Sequence, residues 1–371
     1  MNNLSYLKIS ELKKFFEERS FQRIFLLTGK KSFNFSGAKK ILKKILQNKN
    51  KIVKIYFKTN AYPEIEELKK IIQEIKNFSP DLILAIGGGS VIDYAKLANN
   101  LYDCEELKKR IVESSYKIDK SYCELVVIPT TAGSGAEVTE NAVIYINKTK
   151  YSVENNKIKP KFFFLIPELI LKSPHFIKSS AGFDAIAQSI ESLISLKSNN
   201  LSVNFSIKSL QISLKNYLNY LKKPNLTNSM SMSVAANLSG KAISISRTTA
   251  PHALSYPFTA LYNISHGHAV SLTLNNFLKF NYLNIKNSNS LFDLKKRYQI
   301  IFNLTKTRNI NELDEYILQL KKKANLEQDF SKLGIDIAKS YNRIISRVNL
   351  LRLKNNPIKI NKNDLKKILL S

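Results

Sequence analysis

Histidine is scarce in this 371-residue chain, and three of its four copies, His252, His266 and His268, fall within residues 251–268, PHALSYPFTALYNISHGH. Imidazoles clustered in this way serve either as ligands to a divalent ion or as acid/base groups. A single histidine is explained as well by a structural hydrogen bond, so a metal site needs a second source of donor atoms. The segment GFDAIAQSIES offers one, because Asp184 and Gln188 lie four apart in a helical pattern and share a face. A carboxylate, an amide carbonyl and the imidazoles of His252 and His266 form a mixed oxygen and nitrogen set suited to Fe²⁺ or Zn²⁺. Taken singly, Asp184 also reads as a helix-start aspartate favoured by the dipole, and Gln188 as an ordinary exposed helix residue.

A second kind of chemistry is written in residues 81–96, DLILAIGGGSVIDYAK, a strand, three glycines and a helix start. Gly87, Gly88 and Gly89 let the backbone turn and approach a ligand closely, while the following helix presents unpaired N–H groups to it. Ser90 suits a helix cap or a phosphate contact. GGGS alone fits a ligand-free turn equally well. The strand ELVVIP, however, leads into a second loop, TTAGSGAEVT, with Thr130, Thr131 and Ser134. Two phosphate-compatible loops at strand carboxyl ends point to a dinucleotide, although neither is the GxGxxG fingerprint.

These residues need a scaffold, and the chain supplies an alternation. RIFLLTG, KIVKIYF, LILAIGG and ELVVIPTT have the near-continuous apolar character of buried parallel strands. Between them, FSGAKKILKKILQN and EIEELKKIIQEIKNF carry apolar residues at helical spacing. This order predicts a doubly wound α/β domain with ligands at the carboxyl ends of its strands. AVIYINKTKYSV and KFFFLIPELIL read as two more strands, after which the chain becomes helical. A boundary near residue 172, between Pro167 and Pro174, divides residues 1–172 from an all-helical 173–371, the two domains sharing a cleft.

Composition narrows the function further. With 44% hydrophobic and 23% charged residues the chain is an ordinary globular protein, but its net charge is +29. Lysine-, asparagine- and isoleucine-rich stretches such as KKILKKILQNKNKIVKI are what AT-rich codons favour, and no basic run interleaves with aromatics as in a nucleic-acid groove. The charge therefore predicts a basic surface and a bias toward small anionic molecules. Two cysteines make neither a disulfide framework nor a thiolate cluster. No stretch approaches the ~20 apolar residues that span a bilayer, and MNNLSYLKIS lacks the features of a signal peptide. A cytoplasmic protein with no nucleic-acid or membrane partner is expected.

The combination of GGGSVIDYAK, PTTAGSGAEVT, GFDAIAQSIES and PHALSYPFTALYNISHGHAV, with the tail RLKNNPIKI, resembles the iron-containing (group III) alcohol dehydrogenase family. GKAISISRTTAPHALSYPFTALYNISHGHAV and the TGKKSF turn look most like its phosphonoacetaldehyde reductase (hydroxyethylphosphonate dehydrogenase) subgroup. The resemblance implies a dehydroquinate synthase-like fold: a Rossmann-like NAD(P)-binding domain followed by an all-α metal-binding domain. It implies a metal site of Asp184, Gln188, His252 and His266, where Gln188 stands in place of the usual histidine. Another common histidine, four residues after the first downstream ligand, is Tyr256 here, a candidate proton donor. His268 becomes a candidate wall residue. The resemblance places the pyrophosphate on the Gly87–Ser90 loop with Thr130, Thr131 and Ser134, the nicotinamide ribose near Asn141 and Lys150, and the nicotinamide across the interdomain cleft. At the end of the first strand, where an acidic residue often binds the adenosine ribose, this chain has Gly29 followed by Lys30 and Lys31. That favours NADPH over NADH.

The implied reaction is reduction of phosphonoacetaldehyde, with the ion as Lewis acid and Lys241 and Arg247 as counter-charges for the phosphonate. Alternatives are another small aldehyde, alcohol or polyol, and a noncatalytic basic binding protein on the same fold. The resemblance also implies a homodimer.

Overall fold

The computed structural model describes residues 4–6, 9–45 and 51–370. The chain divides into two compact units, Met1–Ser173 with Asn225–Ser233 and Pro174–Pro224 with Val234–Ser371. The first is an α/β unit. Its strands are β1 (Leu4–Tyr6), β2 (Arg23–Gly29), β3 (Ile52–Lys58), β4 (Leu82–Gly87), β5 (Glu124–Pro129), β6 (Asn141–Ile146), β7 (Thr149–Glu154) and β8 (Phe162–Phe164). Helices α1 (Ile9–Glu17), α2 (Lys30–Phe35), α3 (Ala38–Ile45), α4 (Ile65–Phe78), α5 (Gly89–Asn100), α6 (Leu107–Val112) and α7 (Pro167–Leu171) alternate with them. Residues 46–48 of the helical stripe FSGAKKILKKILQN lie outside the described residues.

Six strands form one sheet in the order β1-β8-β5-β4-β2-β3, and every neighbouring pair is parallel. The reason is visible in burial: every residue of β4, and all but the first of β5, is buried, as expected of strands covered on both faces. Strand order reverses beside β2, whose chain successors β3 and β4 lie on its opposite sides. The ends of β2, β4 and β5, at Gly29, Gly87 and Pro129, therefore share the carboxyl edge where doubly wound sheets bind ligands. Phe15, Phe162 and Phe164 meet edge-on in the core on one side of the sheet, with ring centroids of the Phe15 pairs 5.0 and 5.4 Å apart.

Two runs expected to be single strands are not. AVIYINKTKYSV folds as the antiparallel hairpin β6–β7, because Asn147 and Lys148 both adopt left-handed φ values, 51° and 62°, the pair a two-residue turn of type I′ demands. It forms its own two-stranded sheet. In KFFFLIPELIL the strand ends at Phe164, and Pro167 opens α7 rather than interrupting a strand.

The second unit is helical. It contains α8 (His175–Ile194), α9 (Asn200–Lys222), most of α10 (Leu226–Ser246), α11 (Ala250–Tyr262), α12 (His266–Ser271), α13 (Leu274–Leu283), α14 (Leu294–Thr305), α15 (Ile310–Lys323), α16 (Ile337–Ile345), α17 (Leu350–Leu353) and α18 (Lys362–Leu370). Most of its helices keep an exposed face. Helix α8 does not, for from Gly182 to Ile194 every residue is buried, Asp184, Gln188 and Glu191 included. No described helix is long and apolar enough to cross a membrane.

One buried charge holds the first unit together locally. Glu67 on α4 accepts from the backbone N–H groups of Thr59 and Asn60, the Thr59 hydroxyl and the Tyr94 hydroxyl. Burial alone would raise its pKa, but these donors outweigh it and hold it below the usual carboxylate value. Because the folded pKa is depressed, the stabilisation is present above a pH of about 4.5 and is lost as pH falls through the folded value. Glu67→Gln is expected to cost about 1–3 kcal/mol at pH 7 and to flatten the acid limb of the stability profile, measured by urea unfolding at several pH values. An unchanged acid limb would remove Glu67 from this role.

Candidate metal centre and dinucleotide loops

In the α/β unit, the two glycine- and threonine-containing loops predicted from sequence are adjacent. Strands β4 and β5 pair with Gly87 opposite Pro129, and the Thr130 N–H donates to the Gly87 carbonyl at 2.9 Å. A methyl group on Gly88 would lie 3.3 Å from the Thr131 hydroxyl, and one on Gly89 would lie 2.8 Å from the Ser134 hydroxyl. Gly87 is tighter still, its missing Cβ falling 2.4 Å from a Val91 methyl. Only glycine lets the strand turn this sharply into α5. Gly88, Gly89, Ser90, Thr131 and Ser134 keep partial exposure, so polar and backbone donors of both loops reach solvent at the start of a 12-residue helix.

Asn141 and Lys150 both lie on the β6–β7 hairpin. The Asn141 carbonyl accepts from buried Lys96 at 2.9 Å, and Lys150 donates to the Ser152 hydroxyl. Lys96 was not expected from sequence. It ties α5 to the start of the hairpin by also donating to the carbonyl and hydroxyl of Thr139. At the end of β2, Gly29 precedes α2, where Lys30 and Lys31 are exposed and Ser32 donates to the Gly29 carbonyl.

In the helical unit the structure brings Asp184, His252 and His266 together. One donor atom from each lies within 4.8 Å of the others. Asp184 projects from the centre of α8, and His252 from the first turn of α11, next to Pro251. Asn263, in the left-handed conformation with φ 56°, ends α11 so that His266 can open α12. Helix α12 crosses α8 at very short range: a Cβ on Gly267 would sit 2.0 Å from the Ser180 carbonyl oxygen and 2.8 Å from the Asp184 Cβ. The Ser180 hydroxyl fastens the crossing by accepting from the His268 N–H and the Ser265 hydroxyl.

Both imidazoles turn Nε2 toward Asp184 Oδ1, at 3.3 Å for His252 and 3.9 Å for His266. Their other nitrogens are occupied: His252 Nδ1 meets Glu191 Oε1 at 2.8 Å, and His266 Nδ1 meets the Ser255 hydroxyl at 3.4 Å. Glu191 Oε2 accepts from the Thr249 N–H at 2.7 Å, at the start of α11. Asp184 Oδ1 and His252 Nε2 are close enough for an ion pair, yet both are buried without hydrogen-bond geometry to any partner. Buried polar atoms are rarely left so. Four ligands tetrahedrally placed 2.0–2.2 Å from an ion are about 3.3–3.6 Å apart, so the Asp184–His252 spacing is that of two ligands and His266 needs only a small closure. Charge argues the same way. Burial opposes an imidazolium, but the Glu191 and Asp184 carboxylates hold His252 up at about 9, so the pocket favours positive charge. The donor set and its electrostatics fit a divalent ion.

The remaining predicted residues are placed as follows. Gln188 donates from Nε2 to Asp184 Oδ2 at 3.2 Å, and its Oε1 accepts from the Ser239 hydroxyl at 2.9 Å. The Tyr256 ring lies parallel to His266 with centroids 5.5 Å apart, and its hydroxyl bonds the Arg352 guanidinium. Burial pushes that phenol up to about 12. His268 Nε2 lies 2.7 Å from the Glu327 carbonyl, which fixes a proton on that nitrogen, and burial lowers its pKa. Lys241 sits over the Phe205 ring, and Arg247, with φ 61°, donates to the Ser244 carbonyl. Glu191, Ser239 and Arg352 were missed. Glu191 was within reach, being seven residues after Asp184 on the same helical stripe.

The comparisons decide the family. Residues 6–167 match the description "Iron-containing alcohol dehydrogenase", and residues 178–371 match "Fe-containing alcohol dehydrogenase family, C-terminal". The chain belongs to the iron-containing alcohol dehydrogenase family. Among curated relatives, the 4-hydroxybutyrate dehydrogenase of Clostridium kluyveri is 30% identical over 59% of this chain and 60% of its own length. The phosphonoacetaldehyde reductase of Streptomyces viridochromogenes is 27% identical over 58% of this chain and 57% of its own. The chain thus spans less than two thirds of these relatives, and 34% of the aldehyde-alcohol dehydrogenase of Streptococcus pneumoniae. Among solved structures, the sulfoacetaldehyde reductase of Bifidobacterium kashiwanohense in complex with NAD+ superposes with a TM-score of 0.85 at 20% identity, covering 100% of this chain and 97% of that one. The alcohol dehydrogenase of Oenococcus oeni gives 0.87 at 20% identity, covering 100% and 98%. At this identity the likeness establishes the family's fold.

Gly267→Ala tests the crossing that seats His266. Overpacking against a main-chain carbonyl is expected to cost about 1–3 kcal/mol, read as a lower melting temperature, and to reduce metal uptake. An unchanged melting temperature would show that α12 can lift from α8 without cost.

Proposed function

We propose that this protein is a metal-dependent, NAD(P)H-linked alcohol dehydrogenase working as an aldehyde reductase, with phosphonoacetaldehyde, reduced to 2-hydroxyethylphosphonate, as its substrate. The observation that carries the reading is the set of donor atoms on buried Asp184, buried His252 and half-buried His266, all within 4.8 Å of one another. These three side chains would hold Fe²⁺ or Zn²⁺, either of which accepts one carboxylate and two imidazoles. Bound there, the ion supplies Lewis-acid polarisation of a carbonyl oxygen, and the nicotinamide cofactor supplies the hydride.

The chain's own residues account for the rest. Gly87, Gly88, Gly89 and Ser90, with Thr130, Thr131 and Ser134, would bind the pyrophosphate through N–H and hydroxyl donors, and Asn141 and Lys150 would face the nicotinamide ribose. Exposed Lys30 and Lys31 after Gly29 would attract a 2′-phosphate, which favours NADPH over NADH. Tyr256, with its pKa at about 12, keeps its phenolic proton at neutral pH, so its Oη is a donor rather than a base. His268 holds its Nε2 proton on the Glu327 carbonyl and so ties α12 to that loop. Lys241 and Arg247 are the candidate counter-charges for the phosphonate.

Three relatives support an anionic substrate, since 4-hydroxybutyrate, phosphonoacetaldehyde and sulfoacetaldehyde, for which they are named, are short and end in an anionic group. The net charge of +29 agrees with that bias.

The test is NADPH oxidation with phosphonoacetaldehyde, sulfoacetaldehyde, the aldehyde of 4-hydroxybutyrate and an uncharged aldehyde of similar size, each with and without a chelator. Phosphonoacetaldehyde is expected to give at least a tenfold higher kcat/KM than the uncharged aldehyde, with all rates abolished by metal removal. Equal rates would overturn the substrate, and full activity without metal would overturn the mechanism. Replacing Lys30 and Lys31 together by alanine is expected to raise KM for NADPH about tenfold and leave that for NADH unchanged, by steady-state kinetics.

A further inference from the structure

Of the three polar residues that α8 turns toward the centre, only Asp184 presents an oxygen to the Nε2 atoms of the histidines. Its Oδ1 faces His252 and His266, whereas the amide of Gln188 lies on the other oxygen, Oδ2. The direction of that amide follows from its neighbours. The Ser239 hydroxyl can donate to Gln188 Oε1, which leaves the Nε2 hydrogens for the carboxylate. Reversing the amide would set two acceptors, Gln188 Oε1 and Asp184 Oδ2, against each other at 3.2 Å. A nitrogen that donates its hydrogens to a carboxylate has no lone pair for an ion. Glu191 is equally committed, with Oε1 on His252 Nδ1 and Oε2 on the Thr249 N–H. A carboxylate on Nδ1 fixes the imidazole so that Nε2 carries the lone pair, and it raises that nitrogen's basicity as a ligand.

We infer that the ion is held by three side chains only, Asp184, His252 and His266, and that Gln188 and Glu191 are positioning residues acting through Asp184 Oδ2 and His252 Nδ1. This rests on the metal reading above and replaces the four-ligand set expected from the family resemblance. Three protein ligands would leave one position for water or substrate oxygen on a four-coordinate ion and two on a five-coordinate one. Gln188 is then an orienting group that no ion touches.

The test uses the full chain, stripped of metal and reloaded with Co²⁺, whose visible absorption bands report its ligands, together with affinity from competition against a chromophoric chelator. Asp184→Asn is the control for the metal reading itself: if it binds Co²⁺ as the parent does, that reading fails whatever the other variants show. With Asp184→Asn defective, Gln188→Ala is expected to bind one equivalent of Co²⁺ with the parent's band positions and an affinity lower by about tenfold. Gln188→His is expected to shift the bands and tighten binding at least tenfold, because a fourth protein ligand is added. Glu191→Leu is expected to weaken binding about 100-fold and Glu191→Gln, which keeps an oxygen for Nδ1–H, about tenfold, with melting of the metal-free proteins showing that each folds. Altered bands in Gln188→Ala would make Gln188 a ligand and overturn the inference. So would parent-like affinity in a folded Glu191→Leu.

Discussion

A helix buried on every side cannot carry carboxylates without something to answer their charge. Helix α8 carries two, Asp184 and Glu191, and the second unit is arranged around their answers. Glu191 is answered inside the protein, by the imidazole of His252 and the N–H at the start of α11, where the helix dipole also favours a negative group. Asp184 is answered only in part, since one oxygen takes the Gln188 amide and the other meets two imidazole nitrogens with no hydrogen bond among them. The unfinished half of that pairing is where the proposed cation would sit.

The α/β unit solves a different problem by similar economy of parts. Its loops at the ends of β4 and β5 come together because the strands pair, so the approach of Gly88 to Thr131 and Gly89 to Ser134 is set by sheet register rather than by loop conformation. A rigid sheet edge presents those donors in fixed positions, which would lower the ordering cost of binding the proposed diphosphate.

Much of this was legible in the sequence. Buried parallel strands betray themselves as continuous apolar runs, and residue type and spacing raise the two glycine- and threonine-containing loops and the set Asp184, Gln188, His252 and His266 as candidates, with the family resemblance needed to prefer ligation over the ordinary readings of Asp184 and Gln188. The hairpin at residues 141–154 was hidden because its turn is made by Asn147 and Lys148 without a glycine to mark it. Three-residue strands such as β1 carry too short a pattern to read. Glu191 sat on the expected stripe, but burial is a property of neighbours, and nothing in GFDAIAQSIES says that α8 has no wet face. Arg352 meets Tyr256 from 96 residues away, a pairing only the folded chain reveals. Gln188 was placed correctly beside Asp184, while the direction of its amide depends on Ser239, on another helix.

Gly267 has a consequence for how the histidine segment can change. A clash between side chains can be relieved by shrinking either partner, so such positions drift together. The obstacle above Gly267 is the main-chain oxygen of Ser180, which every amino acid carries. No second substitution at position 180 can make room, and position 267 therefore has no compensating partner. Whatever chemistry the flanking His266 and His268 carry, the space open to position 267 is set by two backbones in contact.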